Sequence, residues 1–368
     1  MKKIYFVVSV CAWLCAITVL LVQNGCTDSD TPPTSPTIDM TKIPYLRLSD
    51  YHFFSGDMAE MTPNDGVLPY DLNTPLFSNY AQKARFVYVP PGQTAAYNDS
   101  SYLDLPVGSV LIKTFYYAED IRNAASPKNL IETRLLIHTD TAWIPASYIW
   151  NAQQTEADFD VAGRIISVDW THYDGQTKNI WYQIPNKNDC RGCHNLNKKT
   201  VPIGPKAFHL NKDFVYPDGT TANQLEKWAS AGILTGTPPT PDTAPKVAVW
   251  DDPDSGTLEQ RARAYMDINC AHCHNPQGPA NNAGLDLRYH ITNPTLLGVC
   301  KVPVAAGGGS GGLKVDIFPG KPDSSILIYR LNSIEPAVAM PELARSTVHE
   351  EGLQLLRDWI SSLDGDCD

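Results

Sequence analysis

Two short strings stand out for the chemistry their residues could perform. Cys190-Arg-Gly-Cys193-His194 and Cys270-Ala-His-Cys273-His274 both read C-x-x-C-H. Two thiols separated by two residues reach the two vinyl groups along one edge of a porphyrin and bond to them as thioethers. The histidine directly after the second thiol then meets the iron from one face. The strings therefore predict two covalently bound haem c groups, anchored by Cys190 and Cys193 and by Cys270 and Cys273, with His194 and His274 on the irons. Zinc and thiol exchange are the competing chemistries. A zinc ribbon spaces its cysteine pairs about 15–20 residues apart, far closer than these, and leaves both following histidines unexplained. A redox C-x-x-C usually sits near a βαβ unit, and no such pattern is visible. His272, inside the second string, reads as a solvent-facing spacer.

The second iron ligand is a separate question at each string. Met340-Pro341 follows the second string, ahead of a C-terminal helical pattern. A thioether suits the position opposite a histidine and raises the haem potential, and a following proline favours an extended Met340 that presents its sulfur from a loop. The first string has no methionine in a comparable place. His209 is the nearest imidazole after His194 and a candidate sixth ligand there, alongside other residues or an open coordination site. The glycine-rich Ala305–Gly312 stretch lacks the Lys-Ser/Thr of a phosphate loop and reads as a flexible loop.

Nine cysteines are present. Cys11 and Cys15 lie in an uncharged, mostly apolar run, Ile4 to Val22, that follows Lys2 and Lys3 and reads as a targeting segment. Gly25-Cys26 and a polar Thr/Ser/Pro/Asp stretch come next, an arrangement that resembles a bacterial lipoprotein signal with Cys26 lipidated. Gln23 stands where that signal usually has Leu, and an uncleaved membrane anchor is the alternative. Either tethers an exported domain in the periplasm or cell envelope. In an oxidising compartment the two remaining cysteines, Cys300 and Cys367, most simply pair with each other. The formal net charge of −11 argues against nucleic acid, whose phosphates need a basic surface. It suits docking to a basic redox partner.

The elements that must position the strings read as multidomain α+β. Residues 1–25 form the targeting segment and 26–42 the tether. Residues 43–185 carry short β-branched and aromatic runs (Phe86–Val89, Val110–Tyr117, Thr133–His138, Ser147–Trp150, Ile165–Trp170, Ile180–Ile184) separated by turn signals, the pattern of an all-β antiparallel sandwich or barrel-like domain. Residues 186–254 are a loop-rich first haem segment with one helix near Asn223–Ser230. Residues 255–368 read as an all-α cytochrome-c-like domain holding the second haem. There Thr257-Leu-Glu-Gln260 and Thr347-Val-His-Glu350 are capping-box patterns and Ser324–Leu331 is a helix. Leu355, Leu356, Trp359, Ile360 and Leu363 share one face of a last helix with Gly352, whose missing side chain would let another helix cross closely. Tyr265 and Trp359 are candidates for that contact.

Around the haem strings the wording of the chain is specific. VLPYDLNTPLFSNYA (Val67–Ala81), IETRLLIH (Ile131–His138), DCRGCH from Asp189, YMDINCAHCH from Tyr265, DIFPGKPDSSILIYRL from Asp316 and MPELARS (Met340–Ser346) span nearly the whole mature chain. In this the sequence resembles a family of conserved hypothetical bacterial di-haem c-type cytochromes. The resemblance implies a β-rich N-terminal domain, a haem segment and a cytochrome-c-like C-terminal domain with Met340 as ligand, and it implies no reaction. Electron transfer at the bacterial cell envelope is the expected function, with the chain a carrier more than a stand-alone catalyst. The rival is a haem enzyme, peroxidase-like or a haem subunit of a dehydrogenase complex, using an open first haem. A third class is a binding module in which the β domain holds a ligand.

Overall fold

The computed structural model describes residues 33–367. The targeting run, with Cys11, Cys15 and the lipidation candidate Cys26, lies outside the described residues. No helix among those described is long and apolar enough to cross a membrane.

The centre of the fold is one antiparallel meander of six strands: β1 (Val67–Tyr70), β2 (Gln82–Tyr88), β3 (Val110–Ala118), β4 (Lys128–His138), β5 (Trp143–Trp150) and β6 (Ala157–Asp160), paired in that order. Turn-forming Pro-Gly and Gly positions lie between runs of Val, Ile, Tyr and Phe, residues that suit a pleated, buried surface. One face carries Phe86, Ile112, Leu135, Ala146 and Tyr148, which pack under Leu48, Tyr51, Phe53 and Phe54 of the preceding segment. The other face is covered at both ends. A hairpin of β7 (Arg164–Thr171) and β8 (Thr177–Ile184) lays Val168, Trp170, Ile180 and Tyr182 against Phe115, Ile131 and Ile149. At the opposite end Leu210, Leu225 and Trp228 from the following segment pack on Val87, Leu111 and Leu136. Between these two covers the face stays open toward a cavity. The β-rich expectation for 43–185 agrees with this part of the structure.

The helices are short: α1 (Lys187–Cys193), α2 (Ala207–Leu210), α3 (Gln224–Ser230), α4 (Leu258–Cys270), α5 (Ile326–Leu331) and α6 (Glu350–Ser361). The expectation of an all-α cytochrome-c-like domain over 255–368 is overturned. The described chain is richer in strand than in helix, and only α4, α5 and α6 fall in that stretch. Residues 271–325 are irregular, with three single 3₁₀ turns and parallel bridges between Val299 and Ile317 and between Val315 and Ser325. The reason is local: Pro276, Gly278, Pro279, Gly284, Pro294, Gly298, the Gly307–Gly312 run, Pro319 and Gly320 interrupt every helical window.

Within that frame several sequence expectations are met. Thr257 and Gln260 form the capping box that opens α4, and α4 packs on α6 through Tyr265, Met266, Leu355, Leu356 and Trp359. Gly352 is the crossing point: a Cβ there would lie 2.5 Å from both Tyr265 Oη and His349 Nδ1. The second capping box does not form. α6 starts at Glu350 with His349 as its N-cap and no side-chain cap. Instead Tyr80 Oη accepts from the Glu350 N–H at 3.2 Å, while His349 is held by Tyr265 and stacks on Phe77 at 4.1 Å.

Candidate functional site

Both C-x-x-C-H strings sit at the C-terminal end of a helix and close the same turn. In α1, Asn186 and Asp189 form a reciprocal capping box, so the seven-residue helix that carries Cys190 and Cys193 is fixed at its start. The His194 N–H donates to Cys190 O at 2.9 Å, and the His274 N–H donates to Cys270 O at 2.9 Å. Helical spacing puts residues three apart on one face, which sets Cys190 and Cys193 side by side; Cys273 lies in the turn just beyond α4, its N–H donating to Cys270 O at 3.1 Å.

The two strings meet. The Cys273 thiol donates to Gly192 O at 3.9 Å and lies beside the Cys193 thiol. That neighbour, with help from His272 and against burial, holds the Cys193 thiol below its ordinary value, while Cys193 and burial push Cys273 above its own. The Asn197 N–H donates to Gln277 O at 2.9 Å just beyond the strings. Gly192 is required by a close approach, since a Cβ there would run into Leu343 Cδ1 of the Met340–Ser346 loop.

These elements wall a cavity of about 270 Å³, near the lower end of ordinary small-molecule pockets. Cys190, Cys193, His194 and Cys270 all line it. Burial pushes the Cys190 thiol up, and burial followed by Asp267 pushes Cys270 up to about 12. Exchange chemistry wants low-pKa thiolates; Cys190 and Cys270 are the reverse, whereas Cys193 is held low. Among the described residues no three His, Cys, Asp or Glu side chains are gathered to hold a bare metal ion.

One ring nitrogen of His194 is engaged by the backbone. Its Nδ1 lies 2.9 Å from Val201 O. A carbonyl there takes the Nδ1 proton and leaves Nε2 with its lone pair, the arrangement that fixes the tautomer and ring angle of metal-bound histidines. Burial, then Lys113, holds the His194 pKa down to about 3, so the ring stays neutral and able to ligate. His274 is also held down, to about 4, by burial first. Its Nδ1 is buried with no hydrogen-bond partner among the described residues, and it does not line the cavity.

The remaining candidates are placed less uniformly. Met340 is half-buried in the loop between α5 and α6. Its N–H donates to Arg330 O at 3.1 Å and its carbonyl accepts from Arg345. Met340 itself does not line the cavity, but Pro341, Glu342 and Leu343 do. His209 is 1% exposed and lies away from the cavity. Its Nε2 is 3.1 Å from Asp267 Oδ2, which also takes Lys206 Nζ at 2.6 Å. It serves as a buried strut between α2 and α4. His272 does not face solvent as a spacer would: it lines the cavity, half-buried, with Nδ1 unpartnered among the described residues. Cys300 and Cys367 are joined as a disulfide with Cα atoms 5.2 Å apart.

Sequence reasoning missed the cations on the cavity floor. Lys83 and Arg85 on β2, Lys113 on β3 and Arg134 on β4 all point into it. Part of the signal was present: Lys113 interrupts the mostly apolar VLIKTFYY, and Arg134 stands beside Glu132 in IETRLLIH. Glu132, fully buried, accepts from Arg134 and, at 2.8 Å, from Tyr182 Oη. Burial pushes Lys83 well below the usual ammonium range, with Arg85 and Lys113 adding to it, and pushes Lys113 down to about 7, with Arg134 and Arg85 adding.

No protein-family model, curated protein or solved structure matches the chain.

Proposed function

We propose that the chain is an exported c-type cytochrome that carries two covalently attached haems and passes electrons to and from a partner protein. The observation that carries this reading is that Cys190, Cys193 and His194 of the first C-x-x-C-H string and Cys270 of the second line one cavity, with His194 Nδ1 engaged by Val201 O. Cys190 and Cys193 would form the thioethers of the first site and His194 its axial bond; Cys270, Cys273 and His274 would do the same at the second. Met340 would supply sulfur as the second axial ligand there, from the loop whose Leu343 packs on Gly192. When bound, haem supplies a one-electron iron couple whose potential follows its axial ligands and surroundings. This chain's own residues anchor, orient and shield. The contact between Cys193 and Cys273 supports exchange between the two sites, since their attachment points adjoin.

The Cys300–Cys367 disulfide supports export, because such bonds persist in oxidising compartments. It agrees with the targeting run and the candidate lipidated Cys26 read from the sequence. The net charge of −11 supports a basic redox partner.

One observation favours a second reading, a haem enzyme. His209, one candidate for closing the first site, is bonded to Asp267, which favours an open site there. Reduced protein treated with carbon monoxide separates the two. No spectral change supports a carrier closed at both sites, and a change amounting to one haem per chain supports an open first site. Met340→His tests the assignment of the second: it should lower the potential of one centre only. A shift in both centres, or in neither, would show the ligand to be misplaced.

A further inference from the structure

The floor of the cavity is a cross-strand row of like charges. In the sheet register Arg85 stands opposite Lys113, and Lys113 opposite Arg134. In the adjacent row Lys83 stands opposite Phe115, and Phe115 opposite Glu132. Side chains alternate faces along a strand, so both rows share the cavity face. Lys83 Nζ, Lys113 Nζ and the Arg134 guanidinium lie 5.9, 5.2 and 4.3 Å from the centre of the Phe115 ring. Like charges directly opposite each other destabilise a sheet. A local feature that works against the fold marks a place where something else is needed.

The charges do not balance. Asp71 takes Arg85 at 2.7 Å and is shared with Lys212, and Glu132 takes Arg134. Lys83 donates only to Ala81 O, at 3.1 Å, and Lys113 has no carboxylate partner among the described residues. The other acids on the cavity wall are turned elsewhere: Asp189 closes the cap of α1, and Glu342 faces Arg330 at 3.5 Å. A chain of net charge −11 thus keeps two lysines without a carboxylate partner among the described residues, on the wall of the cavity that Cys190, Cys193 and His194 also line.

The geometry points to Lys83, Lys113 and Arg134, backed by Arg85, as the site that binds the two carboxylates of the macrocycle anchored at Cys190 and Cys193. The inference rests on the di-haem reading and assigns the floor to the first haem. All three attachment and ligand residues of the first string line this cavity, against only Cys270 of those of the second. Two carboxylates match the two lysines without a carboxylate partner in number. A planar guanidinium is shaped for a carboxylate. Burial strengthens each such pair relative to the same pair in water.

The test uses the full-length, haem-loaded protein with Lys83→Gln, Lys113→Gln and Lys113→Arg. Neither lysine has an acid partner, so neutralising it strands no carboxylate. The expected result is two haems per denatured chain in each variant, with one of the two haem-carboxylate bending bands in the resonance Raman spectrum shifted by either Gln variant. Lys113→Arg should restore the band. Two haems per chain with both bands unmoved overturns this assignment alone. Inorganic phosphate that shifts the spectrum of the wild type but not of Lys113→Gln, with the carboxylate bands unmoved, overturns it in favour of a free oxyanion. Chains without covalent haem overturn the di-haem reading, and this assignment with it.

Discussion

Replacing Asp267 with Asn perturbs the buried joint between α2 and α4, one turn before the second string. Asp267 lies on α4 one turn before Cys270 and is 1% exposed. Its Oδ2 takes Lys206 Nζ at 2.6 Å and His209 Nε2 at 3.1 Å, and its Oδ1 accepts from the Tyr289 N–H at 3.0 Å. Asparagine keeps the shape and the Tyr289 bond and loses the charge. Breaking a buried pair from one side costs about 3–5 kcal/mol, because the other charge is left without its partner. Lys206 retains 12% exposure and its stem lets the ammonium reach toward water, which places the loss near the lower end, about 3 kcal/mol. Urea midpoints followed by tryptophan fluorescence measure it. In a Lys206→Met background the same substitution should cost about 2 kcal/mol less, since contacting residues couple on that scale. The pH dependence has a definite sign. Burial raises the Asp267 pKa, but Lys206 and His209 outweigh it and hold the carboxyl below its usual range. The stabilisation is therefore fully present above the unfolded value, about 3.9, and is lost as pH falls below it. A loss under about 1 kcal/mol at pH 7, or an equal loss in both backgrounds, would refute the reasoning.

Three further outcomes follow from the packing. Replacing Cys300 and Cys367 with Ser opens a loop of sequence separation 67; the chain-entropy relation gives a loss of about 4 kcal/mol, read as a lower urea midpoint under non-reducing conditions, and an unchanged midpoint would contradict it. Gly352→Ala drives a methyl into Tyr265 and His349 and should cost about 1–3 kcal/mol by overpacking the α4–α6 crossing, whereas a neutral or stabilising result would show that the helices have room to part. His349 is held down to about 3 by burial first, then by Lys83 and Arg345, with Tyr265 and Glu351 as its other polar neighbours. Its neutral form is favoured on folding, so stability is full above about 6.5 and falls by about 2 kcal/mol between pH 6.5 and 5; His349→Phe should remove that share of the acid sensitivity in paired denaturation curves at pH 7 and 5.

What could be read from the chain follows the range of the interactions. Local signals were legible: the capping box at Thr257, the helix face with Gly352 and Trp359, and the β-branched and aromatic runs that became β2 to β5. The pairing of Cys300 with Cys367 followed from arithmetic on the remaining cysteines. What was illegible depends on distant contacts. Thr347–Glu350 has the wording of a capping box, yet Tyr80, from the loop before β2, satisfies the amide that the cap would have served. The C-terminal third was read as all-α because α4 and α6 are strongly patterned, and the Gly- and Pro-rich chain between them was given too little weight. His209 reads the same whether it faces an iron or a buried aspartate. The Arg85–Lys113–Arg134 row exists only once strand register is known, because the three residues are far apart in sequence and meet only across β2, β3 and β4.

The central claim is tested most directly by counting covalent haem. The exported full-length protein is denatured, extracted with acid-acetone and measured for residual Soret absorbance and iron per chain. The account predicts that the absorbance stays with the polypeptide at two haems per chain, falls to one when Cys190 and Cys193 are both replaced by Ser, and falls to one when Cys270 and Cys273 are. Haem that leaves with the solvent, or zinc in place of iron, would contradict it.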